Sequence, residues 1–409
     1  MMCKFIQVTF LFFFSYTQFA WAEEEIAIED VTYTLSANPI ASGSTGEVRI
    51  ASAKGATFVV KFFVEPKKDL LNSISILPFG SPPPKLLGKT PLERYELESQ
   101  FSLSALHVKN PDGLIVEKIA ARRLNREEES RYKAVGVVVY PYLGVSLQTF
   151  VESSPLFEMN SEAGTAPQIL DQLPRIERLL LILRGVLKLL ELQSANNFIH
   201  FDVNPANLLL HKQNVYLVDI SGGWIVAGQI PEYVVASAGF IAPEVLDHKA
   251  LAQQPKGAVA FSYATLANAS ILSEAYSYGR TILKLVCSNC DHFEQAQYIL
   301  DRLIVQAGFL NSKKGNEAIA SLVLISNFLQ ACLFPDAYSR LEMFRTRPLT
   351  DFINFTQAKD HSTNFKLEIR KDFDVQLSRY IASANQLFDQ AQTRLHYELS
   401  LGKCSSSFR

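Results

Sequence analysis

The pattern of apolar and polar positions divides the chain into a strand-rich first part and a helix-rich second part. Residues 40–50 and 57–63 are rich in β-branched and aromatic side chains around a glycine-containing turn, which predicts a β-hairpin. Residues 136–142 predict a buried strand. Beyond about Gln148 apolar positions recur at helical spacing, most regularly over 176–196. The pattern predicts an α+β fold, with a small β-rich part before a larger α-helical part.

Three further segments complete this outline. Residues 92–106 have a helical pattern, and residues 66–91 are proline-rich, which predicts a loop or an insertion. Residues 373–401 predict an amphipathic helix. We favour docking of this helix on the main body over a role at a membrane surface.

The N-terminal segment has the order of a secretory signal peptide. Lys4 precedes an apolar run over 5–14, and residues 20–22 read Ala-Trp-Ala before three glutamates. The run is shorter than the roughly 20 residues of a membrane span. We therefore expect cleavage after Ala22 and secretion. The most apolar later stretch, 179–192, carries three charged residues, so no span is expected after signal removal.

Charge and cysteine content narrow the partners and the redox state. The net charge of −2 gives no reason to expect nucleic acid or an anionic membrane as a partner. Removal of the signal leaves an even number of cysteines in an oxidising route. No second Cys-x-x-Cys or histidine cluster completes a zinc site, which favours a structural disulfide. We expect Cys332 to bond to Cys287 or Cys290, and Cys404 to be free or paired elsewhere.

A glycine-containing loop lies between the first two predicted strands. Its sequence is Ala41-x-Gly43-x-x-Gly46-x-Val48, with alanine where a phosphate-covering G-x-G-x-x-G-x-V loop has its first glycine. Lys61 follows thirteen residues after Val48, at the end of the returning strand. A lysine there would place its ammonium group beside the phosphates of a nucleotide.

The most specific motif is the sequence His-Phe-Asp-Val-Asn-Pro-Ala-Asn at 200–207, followed by Asp219. It matches the H-x-D-x-x-P-x-N loop and the metal-binding aspartate of protein kinases in residue type and spacing. Phosphoryl transfer needs a carboxylate at the acceptor hydroxyl, which Asp202 can supply. It also needs oxygen ligands for Mg²⁺, which Asn207 and Asp219 can supply.

Three later elements follow in the order that kinases have. They are Ala-Pro-Glu at 242–244, a helix from Glu274 to Gly279 like the kinase D-x-W-S-x-G helix, and Arg340, placed like the arginine that pairs with the A-P-E glutamate. The chain therefore resembles the protein kinase superfamily. This resemblance implies a bilobal fold with the following divisions: 1–22 signal peptide, 23–34 short N-terminal extension, 35–355 kinase-like domain with an N-lobe at 35–142 and a C-lobe at 143–355, and 356–409 C-terminal helical extension.

Softer features resemble one branch, the secreted rhoptry kinases of apicomplexan parasites. They are the signal peptide, Ser221 in place of the glycine of D-F-G, the aromatic Trp224 soon after it, and the cysteine-bearing segment that follows Gly279. This resemblance implies passage through a secretory organelle to a host cell or vacuole. It also implies a protein substrate, including a host protein.

Several positions depart from the kinase pattern. Phe201 replaces the arginine that receives an activation-loop phosphate, so switching by that phosphorylation is not expected. Asn204 replaces the catalytic-loop lysine and removes a positive charge near the transferred phosphoryl group. Ser221 replaces a glycine, and Glu274 replaces the aspartate that braces the catalytic loop.

The resemblance implies roles for further residues. Glu98 is favoured as the ion-pair partner of Lys61, ahead of Glu96 and Glu93. The segment from Tyr140 to Tyr142 is placed as the hinge that offers backbone groups to adenine.

These residues predict an active Ser/Thr protein kinase that uses ATP and Mg²⁺. Ser237 falls where Ser/Thr kinases carry a hydroxyl beside the catalytic aspartate. Asp202, Lys61 and Asn204 occupy the catalytic positions. The alternative is a pseudokinase that holds nucleotide or a partner protein without transfer, which the substitutions at Asn204 and Ser221 favour.

Overall fold

The computed structural model describes residues 21–42, 46–64, 90–153, 169–220, 224–225, 237, 239–245, 269–310, 312–334, 340, 374–375, 377–386 and 389. The chain divides into two compact units. The first consists of Met1–Leu71, Lys89–Gln100 and Lys118–Tyr142. The second consists of Asn72–Gly88, Phe101–Glu117 and Leu143–Arg409.

The first unit is built on an antiparallel sheet. The strand order is β1-β2-β4-β5-β7-β6, with β3 paired to β4. Residues 23–34, set apart by sequence as an extension, lie in this sheet, because β1 pairs with β2 and β2 pairs with β4. Ile28 and Tyr33 bury their side chains in its core. The strands are β1 (Trp21–Ile28), β2 (Val31–Ser36), β3 (Ala41–Ser42), β4 (Glu47–Ala53), β5 (Ala56–Val64), β6 (Ala120–Arg123) and β7 (Ala134–Pro141).

Two helices, α1 (Pro91–Gln100) and α2 (Arg126–Tyr132), complete the first unit as described. Helix α1 packs on one face of the sheet through Tyr95, which meets Phe63 edge-on with ring centroids 5.7 Å apart. The helix is shorter than the pattern at 92–106 predicts. Its continuation is a turn in which Leu103 enters the core of the second unit and donates its N–H to Glu117.

The second unit is mainly helical. Helices α4, α5 and α7 pack on one another around an apolar core. The long apolar stripe of α4 supplies much of this core, because its buried side chains recur at helical spacing. The helices are α3 (Leu147–Ser153), α4 (Ile169–Asn196), α5 (Ile271–Val286), α6 (Phe293–Gly308) and α7 (Lys313–Leu333).

Short strands, one before α4 and four after it, hold the loop that carries the kinase-like motif. The strands are β8 (Val145–Ser146), β9 (Phe198–Ile199), β10 (Leu208–His211), β11 (Asn214–Leu217) and β12 (Trp224–Ile225). Strand β10 pairs with β8 and β11, and β9 pairs with β12. The motif at 200–207 thus runs from β9 to β10, ending in a 3-10 turn at Pro205–Asn207. The α+β class, with a β-rich first part and a helical second part, is confirmed.

The C-terminal region also contributes to the second unit. Helical residues 377–386 bury Leu377 and Ala384 in its core, and Tyr380 packs edge-on against Phe328 of α7 at 6.2 Å between ring centroids. Within the described residues, this segment therefore docks on the unit through its apolar positions.

Helix α7 differs from the expectation that no later segment could span a membrane. It is the one helix in the described part of the chain whose length and apolar composition meet that requirement. Its side chains Leu322, Ile325, Phe328 and Leu329 are nevertheless buried in the core of the second unit. Burial on neighbouring helices is the usual position of an apolar helix in a folded core.

The predicted pairing of the cysteines is wrong. Cys287 and Cys290 are bonded to each other, with their Cα atoms 5.3 Å apart, and Cys332 is a buried free thiol. The chain turns directly after α5, which brings the first two cysteines together. Cys332 instead packs its Cβ against Gly279, two turns before the end of α5. Cys404 lies outside the described residues.

Candidate active site

Lys61 lies on the central strand of the first unit. Strand β5 pairs with β4 on one side and β7 on the other, so its backbone is fixed from both sides. The Lys61 Nζ atom lies 2.7 Å from Glu98 Oε2 of α1, and both residues are buried. The hydroxyl of Tyr140 donates to the other oxygen of Glu98 at 2.5 Å. The carboxylate is thus held by a cation and a neutral donor together.

The glycine-containing loop begins and ends in paired strands. Ala41 pairs with Val48 across β3 and β4, and Val48 pairs with Lys61 across β4 and β5. A Cβ at Gly46 would overlap the carbonyl oxygen of Phe62, so only glycine allows this close approach of the backbones. Gly43 lies outside the described residues.

Asp202 of the second unit has its carboxylate surrounded by neutral donors. Its Oδ1 atom accepts from the backbone N–H of Ser237 at 2.7 Å and from the side-chain amide of Asn204 at 2.9 Å. Its Oδ2 atom accepts from the side-chain amide of Asn207 at 3.0 Å. Three donors from different positions therefore fix the direction of this carboxylate.

Asn204 has a second task in the same loop. Its side-chain oxygen caps the 3-10 turn by accepting from the N–H groups of Ala206 and Asn207. Its amide nitrogen also lies 3.1 Å from the hydroxyl of Ser237. An asparagine can cap and donate at once, because one end of its amide accepts and the other donates.

The environment raises the pKa of the Asp202 carboxyl. Burial is the main cause, because it disfavours the charged form, and the negative charge of Asp219 adds to it. The hydrogen bonds from Ser237 and Asn204 and the charge of His200 act in the opposite direction. A carboxyl with a raised pKa is a stronger base, which suits a group that receives a proton.

Phe201, directly before Asp202, has a left-handed backbone with φ of +70°. A bulky residue rarely adopts this conformation unless its surroundings hold it there. Its N–H donates to Glu274 Oε1 at 2.9 Å. Glu274 lies in the first turn of α5 and is fully buried, and burial raises the pKa of its carboxyl. Glu274 therefore braces the loop at 200–207, at the position where the kinase pattern has an aspartate.

Asn207 and Asp219 supply the oxygens that could hold a metal. The amide of Asn207 is turned toward Asp202. Asp219 has a left-handed backbone, with φ of +60°. Within the described part of the chain, no three or more His, Cys, Asp or Glu side chains form a metal-binding group. A pair of hard oxygen ligands still fits Mg²⁺, which commonly completes its shell with phosphate oxygens and water.

A buried ion pair joins the A-P-E glutamate to the late arginine. Arg340 donates to Glu244 and, at 2.6 Å, to the carbonyl of Phe334, and it is fully buried. Ser273 of α5 also donates to Glu244, at 2.8 Å. This pair ties the turn at Pro243–Val245 to the helical core.

Sequence reasoning missed three side chains of this region. The sequence placed Tyr140 only as a hinge residue, whereas its hydroxyl contacts Glu98. The backbones of Tyr140 and Tyr142 both contact β5. Gln193 and Tyr278, both buried, adjoin Glu274. The sequence offered one signal of these contacts: glutamate at 274 is longer than the expected aspartate, which indicates different neighbours around its carboxylate. Ser221 lies outside the described residues.

The order of elements and these contacts are those of a kinase-like fold. The first unit has the lysine on a central strand paired with a helix glutamate, and the second has the braced aspartate loop and the glutamate–arginine pair.

A solved structure described as a Toxoplasma gondii specific rhoptry antigen kinase domain aligns with TM-score 0.44 and 13% identity. The alignment covers 83% of this chain and 88% of that chain. No protein-family model matches the chain, and no curated protein matches it.

Proposed function

We propose that this protein is a protein kinase that transfers the γ-phosphate of ATP to Ser or Thr of protein substrates. The kinase-like domain spans 35–355, extended at its start by β1 and β2. The observation that carries the proposal is the carboxylate of Asp202, which is partly buried, oriented by three neutral donors and raised in pKa. Neutral donors orient this carboxylate without removing its charge, which keeps it available as a proton acceptor.

The remaining roles follow from the chemistry of the transfer. Lys61, held by Glu98, would contact the phosphates of ATP, and the backbone near Gly46 would cover them. Backbone groups at 140–142 would accept adenine. Asn207 and Asp219 would hold Mg²⁺, which neutralises charge on the phosphates when bound. Asp202 would orient the acceptor hydroxyl and take its proton.

A pseudokinase is the second candidate, and one observation favours it. Asn204 stands where kinases have a lysine, and its amide is used for the turn and for Asp202. This position therefore brings no positive charge to the transferred phosphoryl group, which lowers the expected rate. Binding of nucleotide would be unaffected, because Lys61, Asn207 and Asp219 are retained.

Two measurements on the purified protein separate these candidates. Thermal shift with ATP and Mg²⁺ or Mn²⁺ tests binding, since a ligand that binds only the folded state raises the Tm. Transfer of labelled phosphate to a general Ser/Thr substrate tests activity. Kinase activity requires both signals, and a pseudokinase gives the shift alone. No shift at millimolar ATP contradicts both the kinase and the nucleotide-holding pseudokinase.

We also propose that the protein is secreted, in the manner of the rhoptry kinases that its softer features resemble. The signal-like N-terminus supports this, as does the disulfide between Cys287 and Cys290, because disulfides persist in oxidising compartments. Peptide mapping of secreted material without reduction should recover these two cysteines linked and Cys332 as a free thiol. Recovery of both as free thiols would contradict the proposed route.

A further inference from the structure

A chain of buried polar side chains runs behind the catalytic loop. Tyr278 donates its hydroxyl to Gln193 Oε1 at 2.7 Å, and Gln193 donates its amide to Glu274 Oε2 at 2.9 Å. Gln193 lies on α4, and Glu274 and Tyr278 lie one turn apart on α5. All three are at most 1% exposed, so the chain is shielded from water.

Every polar end of this chain has a partner. An amide or a phenol in an apolar core is costly unless it is hydrogen-bonded. The side-chain oxygen of Gln193 accepts from Tyr278, and its nitrogen donates to Glu274. The amide cannot be flipped while Glu274 is ionised, because a carboxylate only accepts hydrogen bonds. The second oxygen of Glu274 then remains for the N–H of Phe201. The orientation of Glu274 is thus set from behind by Gln193.

The chain ends at a point of backbone strain. Phe201 has a φ of +70° and its N–H donates to Glu274. A non-glycine residue in this region is strained, and it persists where the surrounding contacts hold it there. The next residue is Asp202. A change in the backbone dihedral angles of Phe201 therefore shifts the Cα atom of Asp202 and the direction of its side chain.

We propose that Gln193 and Tyr278 are positioning residues for Asp202, acting through Glu274 and the backbone of Phe201. This rests on the proposed kinase function. Glutamate is one methylene longer than aspartate, so its carboxylate can take more directions. The hydrogen bond from Gln193 to one oxygen of Glu274 keeps the other oxygen directed at the N–H of Phe201. A purely structural role, in which the chain only joins α4 to α5, predicts lower stability and an unchanged catalytic rate in folded protein.

The first test uses the full chain with Gln193→Met and Tyr278→Phe. Methionine keeps the length of glutamine and removes both hydrogen bonds, and phenylalanine removes only the hydroxyl. We expect Gln193→Met to lower kcat about 10-fold, since small misplacement of a catalytic group is costly, with KM for ATP nearly unchanged. Amide hydrogen exchange at Phe201 should rise in the same variant. Tyr278→Phe should also lower kcat and raise amide hydrogen exchange at Phe201, both by less than Gln193→Met does.

Ser326→Ala is the matched control. Ser326 of α7, itself buried, donates a part-buried hydrogen bond of 2.7 Å to Gln297 of α6. Within the described part of the chain, neither residue contacts the chain of Gln193, Glu274 and Tyr278 through a hydrogen bond. Its removal should lower the Tm and leave kcat and Phe201 exchange unchanged. If folded Gln193→Met keeps the wild-type kcat and Phe201 exchange, or if Ser326→Ala lowers kcat equally, the proposal is wrong.

A rescue experiment separates position from stability. Gln193→Glu alone sets two carboxylates against each other and should lower kcat and raise Phe201 exchange. Adding Glu274→Gln restores an amide facing a carboxylate and leaves a carbonyl oxygen at 274 for Phe201. The double variant should regain most of both properties, and failure to regain either contradicts the proposal. If the wild-type protein transfers no phosphate, the kinase function fails, while Phe201 exchange still decides whether the chain holds the loop.

Discussion

The two units hold their functional charges in different ways. In the first unit, the Lys61 ammonium is matched by a full negative charge on Glu98, with Tyr140 on the other oxygen. In the second unit, the Asp202 carboxylate is surrounded by the neutral donors of Asn204, Asn207 and Ser237. The first arrangement offsets the charge of Lys61 with an opposite charge. The second fixes the direction of the Asp202 carboxylate with neutral donors.

This difference indicates what each unit is built to do. A buried ion pair offsets part of the desolvation of both partners, and removal of one partner leaves the other uncompensated. Neutral donors fix the direction of a carboxylate without neutralising it, so its pKa can remain raised. Under the proposed function, the arrangement in the second unit serves proton transfer, and that in the first unit holds the Lys61 cation in one place.

The largest expected effect is that of Asp202→Asn in the second unit. The amide cannot accept the proton of the acceptor hydroxyl, so kcat should fall by about 10²–10⁴-fold. The ATP-induced thermal shift should remain, because Asp202 acts on the acceptor and not on ATP. Asp219→Asn is the companion variant, in which metal-dependent binding of ATP should also weaken. Full phosphate transfer by Asp202→Asn would show that the catalytic loop is wrongly assigned.

Lys61→Met tests the compensated charge of the first unit. Breaking a buried ion pair removes the cation that offsets the Glu98 charge and should lower the free energy of unfolding by about 3–5 kcal/mol, measured by chemical denaturation. Arg122→Met is the control, because the Arg122–Glu128 pair of the same unit is more exposed, at 28% and 22% against 10% and 6%. An ion pair that water reaches more freely contributes less than a buried one, so the loss in Arg122→Met should be smaller. Equal losses in the two variants would remove the distinction.

Asn204→Ala removes one neutral donor from Asp202 and the cap of the 3-10 turn. Its hydrogen bond lowers the pKa of Asp202, so its loss should raise that pKa further. Because the ionised form is the base, the acidic limb of the kcat profile should move to higher pH. His200 and Asp219 are the charged neighbours that also act on Asp202, and both are unchanged in this variant. Loss of the cap should cost about 1 kcal/mol of stability. An unmoved acidic limb contradicts the assignment of Asp202 as base.

Tyr140→Phe should have the smallest effect. It removes the neutral donor from Glu98, which keeps its ion pair with Lys61. The expected loss of stability is about 1 kcal/mol, and the acidic limb of the kcat profile should stay in place. If Tyr140→Phe moved the acidic limb of the kcat profile as far as Asn204→Ala does, the donor to Glu98 and the donor to Asp202 would have the same effect on catalysis. The contrast between the two units would then be wrong.

The sequence by itself determined the features that depend on local order. The period of apolar positions was sufficient for the α+β division, because one face of each helix or strand must be buried. The motif at 200–207 was readable because its turn, its cap and its donors come from neighbouring residues. The same local patterns were poorer at boundaries: α1 ends at Gln100, and the strands begin before residue 35.

Only the tertiary structure decided which distant side chains meet. An even cysteine count in an oxidising route led us to pair Cys332 with Cys287 or Cys290, whereas packing of α7 on α5 turns Cys332 toward Gly279. The buried contact of Gln193 with Glu274 joins positions 81 residues apart. Such contacts depend on the rotation and separation of packed helices, which close packing of the whole core sets and which no single segment encodes.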